Sequence, residues 1–133
     1  MPALASTELT VLFWSVILLF VHIGLQAVSA TMDLGAGYNL SARDEEKKPG
    51  PVAGRLKRAL ANFLETYPAF VALALALAVS GKAGGWGATG AWVWLIARVV
   101  YLPLYAFAVP GLRSAVFGVS FVGLAMMLGR LAG

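Results

Sequence analysis

The sequence predicts an all-α integral membrane protein, an up-down bundle of four helices in a single domain covering residues 1–133. Three observations support this prediction. Hydrophobic residues make up 60% of the 133 residues and charged residues only 12%, which is more apolar surface than a soluble domain of this size can bury. Four apolar stretches approach or reach the roughly 20 residues that span a bilayer. Two of the three connections are short, which makes consecutive helices antiparallel neighbours.

The four apolar stretches have the length and composition of membrane helices. The predicted spans are Glu8–Ala30, Val52–Val79, Thr89–Val109 and Leu112–Leu131. The first span lacks the basic region that precedes a secretory signal, so we interpret it as a helix of the bundle. Only the segment Thr31–Gly54 is long and polar, and its Gly, Pro and mixed charges indicate a surface loop.

The positive charges predict the orientation. Six cations lie between the first and second spans: Arg43, Lys47, Lys48, Arg55, Lys57 and Arg58. Arg113 follows the third span, and the opposite side carries Lys82 and Arg130. The positive-inside rule therefore places the first and third loops in the cytoplasm and both termini outside it. The net charge of +4 is thus a topology signal and does not indicate nucleic-acid binding.

Two absences in the sequence narrow the chemistry. The chain has no cysteine, which excludes disulfides, thiolate metal sites and a cysteine nucleophile. It has one histidine, which excludes a metal site built from several histidines. We therefore expect no bound metal.

Two rows of polar side chains enter the predicted spans, where each is costly. The second span holds a row at positions i, i+4 and i+7, consisting of Arg58, Asn62 and Glu65. The third span holds a row at i, i+3 and i+7, consisting of Arg98, Tyr101 and Tyr105. Each spacing places its row on one helix face.

The two rows are expected to face each other. Glu65 lies roughly 13–15 Å and Arg98 roughly 16 Å from the cytoplasmic ends of their spans, which predicts an ion pair. That pair alone fits a purely structural contact equally well. The whole ladder, with Arg113 above it, suits a zwitterionic ligand with several carboxylates, because arginine bonds carboxylates and Asn and Tyr bond amides.

The first span carries a further polar stripe of Ser15, His22, Gln26 and Ser29. Polar side chains in membrane helices usually hydrogen-bond to neighbouring helices. We therefore interpret His22 as a buried donor in such a bond and not as a catalytic base.

At this point two stretches resemble a known family. "RLKRALANFLETYP" is similar to the signature of the MAPEG family, the membrane-associated proteins of eicosanoid and glutathione metabolism. The matching pattern is Arg55-x-x-Arg58-Ala59-x-x-Asn62-x-x-Glu65-x-x-Pro68. "ARVVYLPLYAFAVPGLRS" resembles the second cluster of the family through Arg98, Tyr101, Tyr105 and Arg113–Ser114. The loop "YNLSARDE" is similar to prokaryotic members.

The resemblance implies a homotrimer in which glutathione, the thiol cosubstrate, binds at subunit interfaces facing the cytoplasm. It assigns glutathione binding to Arg58, Asn62, Glu65, Arg98, Tyr101 and Tyr105, with Arg43 as a loop arginine and Arg98 supporting Glu65. Arg113 and Ser114 would face the sulfur as the catalytic residues. Ala61 stands where some eicosanoid-forming members have an arginine, which argues against leukotriene or prostaglandin synthesis.

The leading functional hypothesis is a glutathione transferase or peroxidase of a bacterial inner membrane, acting on lipophilic electrophiles that arrive through the bilayer. The alternative is a non-catalytic member that binds lipid or a protein partner. A small multidrug exporter is a third reading. Such exporters need a carboxylate within the first helix, and here that helix has only Glu8, at its outer end.

Overall fold

A computed structural model describes residues 5–35, 37, 40–42 and 50–133. Within these ranges the chain forms four long helices: α1 (Thr7–Leu34), α2 (Pro51–Val79), α3 (Gly85–Ala106) and α4 (Pro110–Ala132). All four are long and apolar enough to cross a membrane. The predicted all-α membrane bundle is therefore confirmed, with α1 running one turn further and α3 beginning one turn earlier than the sequence suggested.

The helix ends follow from local sequence. Ser6 caps α1, because its Oγ accepts a hydrogen bond from the Leu9 amide at 3.2 Å. Proline occupies the start of both α2 and α4, where its missing N–H would have no helical partner. Asp33 in the last turn of α1 accepts the Gly50 amide at 2.7 Å. This bond ties the end of α1 to the start of α2 across the long loop.

The helices pack through small and aromatic residues. The closest approach joins α3 to α4, where a Cβ added to Gly90 or to Gly123 would lie 2.6 Å from the carbonyl oxygen of the other. Only glycine permits this distance. Around the centre of the bundle, Phe70 stacks on Trp94 with ring centroids 4.0 Å apart. The α2–α3 contact is thus largely aromatic.

Ser15, His22 and Ser29 of the polar stripe were expected to hydrogen-bond to neighbouring helices, and among these three only Ser15 does so. Ser15 confirms the prediction of an inter-helix bond, because its hydroxyl lies 2.9 Å from the Tyr67 hydroxyl. The prediction was wrong for His22, which is buried, stacks on Phe63 at 4.8 Å and has no hydrogen-bond partner in the described ranges. It was also wrong for Ser29, whose hydroxyl donates to the Gln26 carbonyl within α1.

The antiparallel arrangement creates two ends with different contents. At one end α1 and α3 begin while α2 and α4 finish, and we call it the Glu8 end after its buried carboxylate. Glu8 Oε2 accepts the Gly84 amide at 2.9 Å, Lys82 Nζ donates to the Leu131 carbonyl at 2.7 Å, and Arg130 Nε donates to the Lys82 carbonyl at 2.9 Å. Lys82 and Arg130 therefore bond backbone groups at the helix ends. The other end, where α3 turns into α4, is the site end.

Candidate functional site

A cavity of about 310 Å³ lies at the site end between α2, α3 and the first turns of α4. Six residues line it: Asn62, Tyr101, Tyr105, Arg113, Ser114 and Phe117. Five of them were predicted from the sequence as site residues. Phe117 was missed, although it lies one helical turn after Arg113 and Ser114 and so shares their face of α4.

Arg98 contacts two of the residues that line this cavity, Asn62 and Tyr101. The side chain is fully buried, and Nη1 donates to Asn62 Oδ1 at 2.9 Å. Its guanidinium carbon lies 4.3 Å from the centroid of Tyr101 and 5.5 Å from that of Phe63, close enough for the ring faces to stabilise the charge. Nε and Nη2 have no hydrogen-bond partner among the described residues.

The predicted ion pair between Glu65 and Arg98 is not formed. Arg98 bonds Asn62 instead, and no ion pair or hydrogen bond joins it to Glu65 in the described part of the chain. Asn62 stands about one turn before Glu65 on α2, and it is half-buried while Glu65 is exposed. A neutral amide lowers the desolvation cost of placing two charges in the bundle. The expected support of Glu65 by Arg98 is therefore replaced by an Arg98–Asn62 contact.

Arg113 lies at the mouth of the cavity over an aromatic face. Its guanidinium carbon is 4.5 Å from the centroid of Tyr105, whose ring is 5.7 Å from that of Tyr101. Arg98 lies over Tyr101. The four side chains therefore form a row in which two neighbouring rings lie between two cations. The Arg113 side chain is half-buried and makes no side-chain hydrogen bond to other described residues. Its N–H groups are therefore available to an anion.

The sharp turn between α3 and α4 places Arg113 there. The Val109 amide bonds the Leu104 carbonyl at 2.9 Å and the Ala108 amide bonds the Tyr105 carbonyl at 3.1 Å, which together close the end of α3 in a Schellman arrangement. Ala108 adopts a φ of 56°. Arg55 Nε donates to the Ala106 carbonyl at 2.8 Å and so fastens α2 to the same turn.

Ser114 lines the cavity with its hydroxyl proton already engaged. The hydroxyl donates to the Pro110 carbonyl at 3.2 Å within the first turn of α4. In this rotamer its oxygen remains available only as an acceptor. The structure thus brings Ser114 to the cavity with its hydroxyl proton bonded within α4.

Arg58, Glu65 and Arg98 are predicted site residues that do not line the cavity. Arg58 and Glu65 are both exposed on α2, two turns apart. Arg43 lies outside the described residues. The described chain therefore divides the predicted ladder into the residues that line or support the cavity and an exposed pair, Arg58 and Glu65, which we call the outward pair.

Comparison with known families gives a match over nearly the whole chain. The matching family model is described as the MAPEG family, and it covers residues 11–133. The match includes every predicted site residue on α2, α3 and α4. No curated protein matches the chain.

Proposed function

The chain belongs to the MAPEG family, and from that premise we propose that it is a membrane-bound glutathione transferase or peroxidase acting on lipophilic electrophiles. Family membership supports a membrane protein of glutathione or eicosanoid metabolism in general. The finer assignment rests on the cavity at the site end and on the types of side chain that line it.

The observation that carries the proposal is the state of Arg113. Its guanidinium contacts the face of Tyr105 at 4.5 Å and lines a cavity of about 310 Å³. Among the described residues Arg113 has no carboxylate partner, and such an arginine suits a ligand that brings its own negative charge. Glutathione carries carboxylates, an ammonium, two amides and a thiol, and the cavity supplies an amide and two phenol hydroxyls beside the cation.

The proposed chemistry uses Arg113 to stabilise a thiolate. A free thiol has a pKa near 8.5, so only a few per cent is thiolate at neutral pH. A nearby guanidinium favours the thiolate and cannot accept the proton, which leaves to water. The sulfur then attacks the electrophilic carbon, a C–S bond forms, and the leaving group departs with its bonding electrons. With a hydroperoxide, the thiolate attacks the terminal oxygen, an S–O bond forms as the O–O bond breaks, and the alkoxide leaves and takes a proton from water. A second glutathione then attacks the sulfenic sulfur, which gives the disulfide and releases water.

A homotrimer forms part of the same proposal. Arg58 and Glu65 are exposed on α2, and ionisable side chains on a membrane helix normally face protein or water. Neighbouring copies of the chain would cover this face and bring the outward pair to a ligand. Native mass spectrometry in detergent should give three chains, and a stable monomer that binds the thiol would contradict an interface site.

The proposed location is a bacterial inner membrane with the site end in the cytoplasm. The cations Arg55, Lys57, Arg58 and Arg113 all lie at this end, and positive loops resist translocation. A reporter enzyme fused after Gly133 should be active outside the cytoplasm. Activity of the same fusion inside the cytoplasm would reverse the orientation.

Binding of radiolabelled glutathione to the purified protein tests the function itself. We expect saturable binding that an excess of unlabelled glutathione displaces, together with turnover of chlorodinitrobenzene. Binding without turnover of any electrophile or hydroperoxide would favour a non-catalytic member of the family. Absence of glutathione binding in folded protein would refute the assignment, and an exporter would instead show cation transport in vesicles.

A further inference from the structure

The Glu8 end contains a second cavity, remote from the candidate site. It has a volume of about 400 Å³ and lies between the first turn of α3 and the last turns of α4, lined by Trp86, Met126, Gly129, Arg130 and Gly133. Gly129 leaves one wall without a side chain, and a Cβ added there would meet no atom within 4 Å. The floor of this cleft is therefore apolar and open.

The rim of the cleft is cationic. Arg130 Nε donates to the Lys82 carbonyl at 2.9 Å, which fixes the guanidinium at the rim. Its Nη1 and Nη2 groups make no hydrogen bond to other described residues, and Arg130 is exposed. They remain able to bond an anion.

Neighbouring charges do not neutralise this rim. Lys82 adds a second cation, held by its bond to the Leu131 carbonyl at 2.7 Å. Glu8 supplies the side-chain carboxylate of this end in the described ranges, and it is fully buried, with both oxygens accepting the Gly84 amide. Among the described side chains of the Glu8 end, the charges accessible to a ligand are therefore positive.

The position of the cleft in the membrane identifies its occupant. Trp86 is 71% exposed in the first turn of α3, and tryptophans at helix ends lie at the level of the lipid headgroups. An apolar cleft with a cationic rim at that level matches an acyl chain attached to a phosphate. A free anion would leave the Met126 and Trp86 surfaces uncovered.

We propose that this cleft binds an anionic phospholipid. Its phosphate is bonded by the Arg130 guanidinium, since arginine bonds phosphate oxygens in pairs, with Lys82 nearby. Its acyl chain lies over Gly129 against Met126 and Trp86. The site does not depend on the proposed thiol chemistry, because none of its residues contributes to the cavity at the site end.

Lipid competition measured by native mass spectrometry tests the proposal. The purified protein is exposed to equal amounts of phosphatidylglycerol and phosphatidylcholine, and the lipid retained per chain is counted. We expect wild type to retain phosphatidylglycerol preferentially. Arg130→Gln should weaken that retention roughly fivefold, the effect of one cation at an anionic membrane surface. Gly129→Leu should reduce retention of both lipids, because the new side chain fills the cleft.

Two variants control for charge and for helix substitution. Lys57→Gln removes an exposed cation from the site end, and Gly118→Leu places the same side chain at another open position of α4. Both should retain lipid as wild type does. Equal retention of the two lipids by wild type, or an equal loss in Lys57→Gln and Arg130→Gln, would overturn the proposal. If Arg130→Gln fails to fold, lipid retention by Gly129→Leu tests the cleft instead, because this variant keeps every cation.

Discussion

The two ends of the bundle carry similar side chains and use them differently. At the Glu8 end each charged side chain bonds the chain's own backbone: Glu8 bonds Gly84, Lys82 bonds Leu131, and Arg130 bonds Lys82. At the site end Arg98 keeps two buried nitrogens without a partner in the described ranges. Among the described residues, the Arg113 guanidinium there contacts the ring face of Tyr105, and Glu65 is exposed.

This difference separates structural charges from functional ones. A buried polar group that is hydrogen-bonded stabilises the fold modestly, whereas one left without a partner costs about 1–3 kcal/mol. The charged side chains of the Glu8 end therefore tie helix ends to one another, as Arg55 does at the site end through the Ala106 carbonyl. The site end accepts the cost of unpaired donors, and a bound ligand would lower it.

Replacing Glu8 tests the structural end. Glu8→Ala leaves the Gly84 amide without its acceptor, and we expect the free energy of unfolding to fall by about 1.5–3 kcal/mol, the value of a hydrogen bond to a charged group. Glu8→Gln keeps an acceptor oxygen and should lose less. Denaturation in detergent micelles measures both. A variant of normal stability but impaired thiol binding would abolish the distinction between the ends.

Replacing Arg113 tests the functional end. Arg113→Ala should leave glutathione bound but remove the thiolate absorbance in ultraviolet difference spectra, with turnover falling about thirtyfold as the thiolate fraction returns to a few per cent. Its unfolding free energy should change by no more than about 1 kcal/mol, the value of an exposed cation–π contact.

Tyr105→Phe is the matched control, because it keeps the ring beneath the guanidinium and should have a smaller effect. If Arg113→Ala retains both the absorbance and the turnover, another cation activates the thiol, and Arg58 is the next candidate.

The sequence predicted the contacts of the site end better than those of the Glu8 end. Hydrophobic lengths and short loops predicted the four helices, and helical spacing predicted five of the six residues that line the site cavity. Spacing reports which residues share a face, but it does not fix the rotation or the axial register of one helix against another. For this reason the sequence predicted an ion pair between Arg98 and Glu65, whereas in the structure Arg98 bonds Asn62.

At the Glu8 end the relevant partners are backbone groups, which every residue carries. No side-chain pattern in the sequence could therefore indicate that Glu8 bonds the Gly84 amide. His22 shows a related limit. Its spacing suggested a hydrogen bond, and the aromatic neighbour that it stacks on, Phe63, is distant in sequence.

Glu65 tests whether the outward pair belongs to the functional end. If its carboxylate bonds the ammonium of glutathione across a subunit interface, Glu65→Gln should weaken binding by about tenfold or more. Because Glu65 is exposed in the single chain, the helices themselves should stay folded and the trimer assembled, which native mass spectrometry checks. Normal binding by the assembled variant would make Glu65 a structural residue.

The smallest effect concerns the turns that close the two ends. The turn at the Glu8 end places glycine at its positive φ angles, 74° at Gly81 and 96° at Gly84, whereas the site-end turn places Ala108 at 56°. A side chain in this left-handed region costs about 1–2 kcal/mol, partly offset because glycine gains more freedom on unfolding. Ala108→Gly should therefore raise the free energy of unfolding by about 0.5–1 kcal/mol.

Gly81→Ala is the reverse substitution in the other turn. An added Cβ there meets no atom within 4 Å, so any change in stability comes from the backbone conformation alone. It should lose a similar amount, about 0.5–1 kcal/mol. The two turns should then differ in function. Loosening the turn that carries Arg113 should reduce the thiolate absorbance in Ala108→Gly, whereas Gly81→Ala leaves it unchanged. If Ala108→Gly gains stability and keeps full absorbance, the strained alanine has no part in holding Arg113 over Tyr105.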